Sequence, residues 1–294
     1  SGRPFGTDMT YPAKGYGNYG PVPWHQGSWD IRAAGNFIGG GMGSGLIVFA
    51  AISGAAGVVG AGLFLAGLAL VGFGLFCVSL ELGRPLRALN VFRNPRTSWM
   101  AREAWTAVLL VPAALAAAAG VAGAGWIAAL LALAFLWCQA SLLQAARGIP
   151  AWREPLLRPL LLTTGLVEGA GLLLIATLGP VNVAAPLAIV AGALLVVRWW
   201  LWRAYRLRLA GTAAPQALAA LDAAGKVLLV AGTIVPLALI GAAGVAGGAA
   251  APIAALAGLG MVAAGVYAKL VLVTRAGFNQ GFALPQLPVR GTRA

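Results

Sequence analysis

Residues 80–105 read LELGRPLRALNVFRNPRTSWMAREAW and separate two long apolar runs. The arginines of this stretch are Arg84, Arg87, Arg93, Arg96 and Arg102. Glu81 lies where the preceding apolar run ends, and Glu103 lies where the next one begins. Pro85 and Pro95 stiffen the backbone, because each proline ring fixes φ. The stretch therefore predicts a stiff, strongly basic connection between two helices.

The composition around this connection is that of a membrane protein. The 294 residues are 60% hydrophobic and only 9% charged, which is too little charge to cover a soluble domain. Apolar runs of roughly 20 residues, rising about 1.5 Å per residue, cross a hydrocarbon core of about 30 Å. The alternating segments of about 10 residues that mark a transmembrane β-barrel are absent. The sequence predicts an all-α integral membrane protein.

Eight apolar runs predict eight transmembrane helices. They cover residues 33–53, 58–80, 103–119, 126–146, 156–178, 183–202, 227–243 and 250–273. The polar link 203–226 is expected to contain a short surface helix. We divide the chain into an irregular head (1–32), two four-helix bundles (33–146 and 147–274) and a tail (275–294). The first bundle includes residues 81–103 as a partner-docking loop.

The basic residues are expected to lie on one face of this assembly. All 20 lysines and arginines fall in the head, beside the connections that follow spans two, four and six, or at the tail end. Because an even number of spans precedes each of these regions, all of them are expected on one side of the membrane. The turns on the opposite side, around Gly54, Gly120, Gly179 and Gly244, carry no charge. By the positive-inside rule, the basic face and both termini are predicted to be cytoplasmic. The expected location is a bacterial or archaeal cytoplasmic membrane. A surface that docks an acidic partner would give the same bias. The net charge of +13 thus reflects topology and does not indicate nucleic acid.

A few polar side chains fall within or near the ends of the predicted spans. Glu168 is the lone acid deep in a span, so it is a candidate proton site or, equally, a glutamate that ties two helices together. Gln139 is expected to serve helix packing. Lys269 and Arg275 are expected to snorkel from the last span to the basic face.

The beginning of the first span has two notable features. Gly35, Gly39 and Gly43 lie four residues apart, which predicts a smooth face for close helix contact and not a phosphate loop. Arg32 and Asn36 lie one helical turn apart on the basic side. Their guanidinium and amide groups could hold a quinone carbonyl by hydrogen bonds, or could simply cap and snorkel.

Ligands for a buried metal are missing from the predicted spans. The only histidine, His25, lies in the head, whereas a buried haem usually needs paired histidines. Cys77 and Cys138 are the only cysteines, too few for an iron–sulfur or zinc centre. The sequence predicts neither haem nor metal in this chain, so any redox-active metal has to come from a partner.

Three stretches carry a resemblance to known membrane anchors. Residues 82–105 resemble the loop after the second core helix in the NrfD/polysulfide-reductase and dimethyl-sulfoxide-reductase-type (DMSO-reductase-type) anchor families. WDIRAAGNFIGGGMGSGL, residues 29–46, looks like their first helix. RAGFNQGFALPQLPVRG, residues 275–291, is similar to the tail of anchors grouped with phenylacetyl-CoA:acceptor oxidoreductases.

The resemblance implies a haem-free anchor subunit of an oxidoreductase complex. Such an anchor passes electrons between a partner iron–sulfur subunit and membrane quinone, either ubiquinone or menaquinone. A molybdopterin catalytic subunit would complete the complex and act on its substrate, which this chain would not do alone. The direction of electron flow stays open.

The resemblance also implies a quinone site at the basic end of the first bundle. Glu81 and Glu103 are the expected proton-exchanging residues, although some DMSO-reductase-type relatives have histidine in place of Glu81. The expected quinone-binding residues are Arg32, Asn36, Glu81, Gly83, Arg84, Arg87 and Glu103. The expected partner-docking residues are Arg93, Arg96, Trp99 and Arg102.

Two other functions remain open from the sequence. A small-solute permease could use Glu168 as its coupling acid, although two four-helix halves do not form the inverted repeats common in transporters. A purely structural anchor without a ligand is the third alternative.

Overall fold

The computed structural model describes residues 23–80, 90–179 and 185–280. Within these ranges, eight helices are long and apolar enough to cross a membrane. The described chain has no strand and only one isolated bridge, between His25 and Phe278. The described residues confirm the prediction of an all-α protein with eight helices that are long and apolar enough to cross a membrane.

The helices follow one another with short connections. They are α1 (Ile31–Ser53), α2 (Gly57–Ser79), α3 (Trp99–Ala118), α4 (Ala124–Gln144), α5 (Pro150–Arg153), α6 (Leu157–Ala176), α7 (Ala185–Arg208), α8 (Pro215–Leu229), α9 (Val235–Ala243) and α10 (Ala250–Thr274). One π-helical turn, Val230–Ile234, joins α8 to α9, so that Pro215–Ala243 forms a single span. The helix α5 is too short to cross a membrane.

The seventh span differs from its predicted position. It begins at Pro215 and not near residue 227, so the expected surface helix is the first part of the span itself. Leu221, Ala224 and Leu228 are buried along one face of α8, whereas Asp222 and Lys226 lie outside this face. These polar residues interrupt the apolar run that would otherwise predict a span here, although the helix has a clear buried side.

The centre of the molecule is formed by α1 and α6. The helix α1 packs against α2, α4, α6 and α10, and α6 also packs against α4, α7 and α10. These contacts cross the boundary between the two predicted four-helix bundles, and that grouping stays a prediction. Both central helices are mostly buried within the protein, unlike α3 and α7.

Glycines permit the close approach of α1 to its neighbours. A Cβ added at Gly39 would lie 2.7 Å from the carbonyl oxygen of Leu70, and one at Gly43 would collide with the carbonyl of Gly67. On another side of α1, a Cβ at Gly45 would collide with the carbonyl of Gly165 in α6. The predicted use of the glycine run for helix contact is confirmed.

We expect Gly45→Ala to lower the free energy of unfolding by about 1–3 kcal/mol, the usual cost of overpacking. The added methyl group would force α1 away from α6, because backbone atoms cannot yield as a side chain does. Gly62→Ala in α2 is the control, since nothing lies within 4 Å of a Cβ there. Thermal unfolding in detergent should separate the two variants. Equal stabilities would contradict this account of the α1–α6 contact.

The described ends of the chain pair with each other. The Gln26 backbone N–H donates to the Gly277 carbonyl at 2.8 Å, and the Asn279 N–H donates to the Trp24 carbonyl at 3.1 Å. The start of α1 and the end of α10 therefore share one face of the protein. The assignment of this face to the cytoplasm stays a prediction.

Candidate functional site

A cavity of about 420 Å³ lies between the ends of α1, α2 and α3. Its volume falls within the usual range for small-molecule pockets, about 300–1,000 Å³. The wall is mainly apolar, with Ala33 and Phe37 from α1, Leu75 from α2, and Met100 and Ala107 from α3. Among the described residues, only a few polar side chains interrupt it, an arrangement typical of pockets for apolar ligands that carry polar groups.

Two of these polar residues are buried and bonded to each other. The Nδ2 atom of Asn36 donates to Oε1 of Glu103 at 3.2 Å, and the residues are 2% and 4% exposed. Gln139 stands behind them and donates from Nε2 to the Asn36 backbone carbonyl at 2.8 Å. The Oδ1 atom of Asn36 is buried and has no hydrogen-bond partner among the described residues. This corner thus combines an ionisable carboxyl group with an unused acceptor.

The third polar residue of the wall is committed to its own helix. The hydroxyl of Ser79 donates to the Phe76 carbonyl at 2.7 Å, as is common near a helix end. Asn36 and Glu103 are therefore the groups at this wall best suited to meet a ligand.

The sequence places Glu103 by capping α3 just before it. Ser98 accepts a hydrogen bond from the Ala101 N–H at 3.3 Å and so caps α3, which begins at Trp99, four residues ahead of Glu103. Thr106 donates to the Glu103 carbonyl at 2.8 Å. These contacts fix the first turns of α3, so that the carboxyl group points toward α1.

The connection before α3 folds back to form part of the cavity wall. The Trp105 indole donates to the Phe92 carbonyl at 3.1 Å, and the two rings lie 5.4 Å apart. Phe92 itself lines the cavity. The Arg102 guanidinium donates to the carbonyls of Pro95 at 2.7 Å and Arg96 at 2.6 Å. Sequence reasoning had not assigned Phe92 or Trp105 to the site.

The expected quinone-binding residues are only partly described. Asn36 and Glu103 meet at the cavity. Arg32 instead forms a salt bridge of 2.8 Å with Asp30 and donates to the Leu80 carbonyl at 3.1 Å. Its side-chain hydrogen bond lowers the pKa of the Asp30 carboxyl group, which also caps α1. The remaining candidates, Glu81, Gly83, Arg84 and Arg87, lie outside the described residues.

The expected partner-docking residues have two kinds of surroundings. Arg93 and Arg96 are exposed. Trp99 is half-buried beneath the guanidinium of Arg102, which lies 4.3 Å from the ring centre. The hydrogen bonds of Arg102 hold its own connection together, so this arginine has a structural role. Docking itself stays a prediction for all four residues.

A second buried polar cluster links α6, α7 and α10. Nζ of Lys269 lies 2.5 Å from Oε2 of Glu168 and also donates to the Phe37 carbonyl of α1 at 2.9 Å. The side chains of Lys269 and Glu168 are 3% and 0% exposed. The expectation that Lys269 snorkels to the surface is therefore wrong. Gly41 leaves room for Nζ, since a Cβ there would collide with it.

Arg198 is the third charge of this cluster, so it lies inside the protein and not on the basic face predicted for all the lysines and arginines. It is fully buried within α7 and interacts electrostatically with Glu168. Its guanidinium donates to the Gly232 carbonyl in the π-helical turn and to the Met261 carbonyl at 3.4 Å. Its position inside the apolar run AIVAGALLVVRWW was the signal that could have identified it.

The two clusters differ in what they can do. The first pairs a carboxyl group with an apolar cavity, whereas the second joins charged side chains to one another and to helix backbones. No protein-family model matches the chain, and the comparison with curated proteins found no match.

Proposed function

We propose that this chain is the haem-free, quinone-reactive membrane anchor of an oxidoreductase complex. A partner iron–sulfur subunit would bind at the arginine-rich face and connect the anchor to a molybdopterin catalytic subunit. The observation that carries the proposal is the apolar cavity with Asn36 and Glu103 buried at its wall. The resemblance of residues 82–105 to known anchors supplies the class of partner.

The cavity suits the chemistry of a quinone. A quinone has a flat apolar ring with two carbonyl oxygens, and its reduction to a quinol consumes two electrons and two protons. In that direction, the electrons come from the partner's cluster, and Glu103 passes protons to the carbonyl oxygens. Asn36 holds Glu103 in place by its hydrogen bond. In the opposite direction, Glu103 accepts the protons.

The cavity also has an apolar opening for an isoprenoid tail. Met100 and Val108 line it, and they are 45% and 47% exposed on the outer surface of α3. An exposed apolar surface on a membrane-spanning helix faces lipid. A quinone can therefore enter from the bilayer while its ring reaches the buried carboxyl group.

The exposed arginines fit an acidic partner surface. Arg93 and Arg96 lie on the connection that forms the outer wall of the cavity, so a partner bound there is close to the quinone. Complementary charge would orient the partner and speed its association.

Purification from the native host in a mild detergent tests the proposal directly. We expect iron–sulfur and molybdenum-containing subunits to copurify, together with extractable quinone and quinone-dependent activity. A lone protein that transports a small solute in liposomes would instead support the permease alternative based on Glu168.

We expect Ala104→Trp to lower the quinone content of the purified complex about tenfold, because the indole would fill the cavity that Ala104 lines. The partner subunits should remain bound. Leu109→Trp is the matched control on the same helix, since Leu109 is 53% exposed and lies outside the cavity wall. Extraction and chromatography would measure bound quinone. An unchanged content in Ala104→Trp would place the quinone elsewhere.

A further inference from the structure

A second cavity of about 420 Å³ lies on the basic face and is lined by three arginines. They are Arg147, Arg153 and Arg158, which share the wall with Trp99, Gln144 and Ala145. Among the described residues, no acidic side chain contributes to this wall, and none of the three arginines forms a salt bridge. Three guanidinium groups around one space create a site for an anion.

The acid that neighbours this wall in the chain, Glu154, is committed elsewhere. Glu154 follows Arg153 directly, but its Oε1 lies 3.3 Å from Nη1 of Arg208. Gln144 donates to the Glu154 backbone carbonyl at 3.1 Å. Arg153 is held by its own bond to Oε1 of Gln280 at 2.8 Å. The positive charge around the cavity is therefore left without a carboxylate among the described residues.

Arg158 is the most buried of the three arginines that line the cavity. Its guanidinium lies 5.5 Å from the ring centres of both Trp99 and Trp137. Its Nε atom is buried and has no hydrogen-bond partner among the described residues. A buried donor of this kind needs an acceptor, and the cavity provides the space for one.

Below Arg158, the surface becomes apolar along α4. Trp137, Leu130 and Ile127 are 43%, 68% and 57% exposed, and their spacing places them on one side of the helix. Trp137 precedes the end of α4 by about two helical turns, roughly 10 Å. The arginines thus stand at headgroup depth above an exposed apolar strip.

We propose that this cavity binds the phosphate of an anionic phospholipid, with an acyl chain lying along Trp137, Leu130 and Ile127. Basic pockets at the cytoplasmic ends of transmembrane helices suit such headgroups. The apolar strip favours a lipid over an acidic protein segment or a free phosphate ion, neither of which would cover it. This inference does not rest on the proposed quinone chemistry.

The test compares lipid binding by two double variants that lose equal charge. Arg147→Gln/Arg158→Gln removes two arginines of the cavity, and Arg203→Gln/Arg275→Gln removes two exposed arginines elsewhere. Delipidated protein in detergent is titrated with phosphatidylglycerol, phosphatidylcholine or inorganic phosphate and followed by native mass spectrometry. We expect the wild type and the second variant to bind phosphatidylglycerol, and the cavity variant to bind it at least tenfold more weakly.

Other outcomes would overturn the proposal. Equal weakening in both variants would indicate general charge attraction. Equal binding of phosphatidylcholine by the wild type would exclude recognition of the anion, and this comparison does not depend on a variant that folds. Inorganic phosphate that displaces phosphatidylglycerol at equal concentration would indicate a site for free phosphate. Loss of a partner subunit without loss of lipid would assign the cavity to a protein.

Discussion

Glu103→Gln is expected to lower quinone turnover by the assembled complex about 100-fold or more, in line with the loss of a general acid–base group. Glutamine has nearly the same volume, and its amide oxygen can still accept the hydrogen bond that Asn36 donates to Glu103. The cavity should therefore keep its shape while it loses the proton-exchanging group. The substitution separates chemistry from packing.

The same variant should leave electron transfer from substrate to an artificial dye unchanged. Dyes take electrons from the soluble subunits, so this activity does not require the quinone site. Quinone content should also stay near that of the wild type, because the apolar wall is intact. Equal loss of both activities would argue that Glu103 supports subunit assembly and not proton exchange.

Glu154→Gln is a suitable control for the change in charge. Glu154 lies outside the cavity and pairs with Arg208, whose side chain is 59% exposed. The Glu154 side chain is itself 16% exposed, and an ion pair that reaches the surface contributes little to stability, about 0–1 kcal/mol. The control should therefore retain full quinone turnover. Wild-type turnover in Glu103→Gln would contradict the proposed role of this carboxyl group.

The membrane fold could be predicted from the sequence because hydrocarbon thickness sets the length of an apolar helix. The predicted span 250–273 agrees closely with α10, Ala250–Thr274. The start of α8 at Pro215 was missed because Gln216, Asp222 and Lys226 interrupt its apolar run. The length of an apolar run identifies helices that face lipid. It underestimates the length of a helix that also has a polar side.

The candidate site was also predicted in part, but not from the length of apolar runs. Asn36 is predicted from its position one helical turn after Arg32, and Glu103 from the resemblance of residues 82–105 to known anchors; the two side chains do meet across α1 and α3. Phe92 lines the cavity because the connection before α3 folds back onto Trp105, whose indole donates to the Phe92 carbonyl. No local pattern in the sequence encodes that fold.

The buried charges show the main limit of sequence reasoning here. Lys269 and Glu168 are 101 residues apart in the chain, so their pairing depends on how α6 and α10 pack. From position alone, Lys269 and Arg198 looked like residues beside the basic face. The packing of glycine-rich helices brings the three charges together, and only the structure contains that information.

Glu168→Gln is expected to destabilise the protein more than any other single substitution in this cluster. Both side chains of the Glu168–Lys269 pair are almost fully buried, at 0% and 3% exposed. Removing one partner of a buried pair costs about 3–5 kcal/mol, because the other charge is left uncompensated. Loss of Glu168 would leave Lys269 and Arg198 as two buried cations.

Lys269→Met should have a smaller effect, because Arg198 would remain to compensate Glu168. We expect Lys269→Met to lower the free energy of unfolding by about 3 kcal/mol and Glu168→Gln to lower it by about 5 kcal/mol. The double variant should recover only part of the stability, since Arg198 would still lack a carboxylate. A double-mutant cycle measures the interaction energy between Glu168 and Lys269 directly.

Unfolding in mixed micelles would rank the variants, and Arg206→Gln would serve as a control. Arg206 pairs with Asp222, which is 52% exposed, so its loss should cost less than about 1 kcal/mol. Equal stabilities of Glu168→Gln and Lys269→Met would contradict the compensating role of Arg198. If folded Glu168→Gln complex retains quinone turnover, Glu168 is a tie between helices. If turnover is lost from a stable complex, Glu168 takes part in proton transfer.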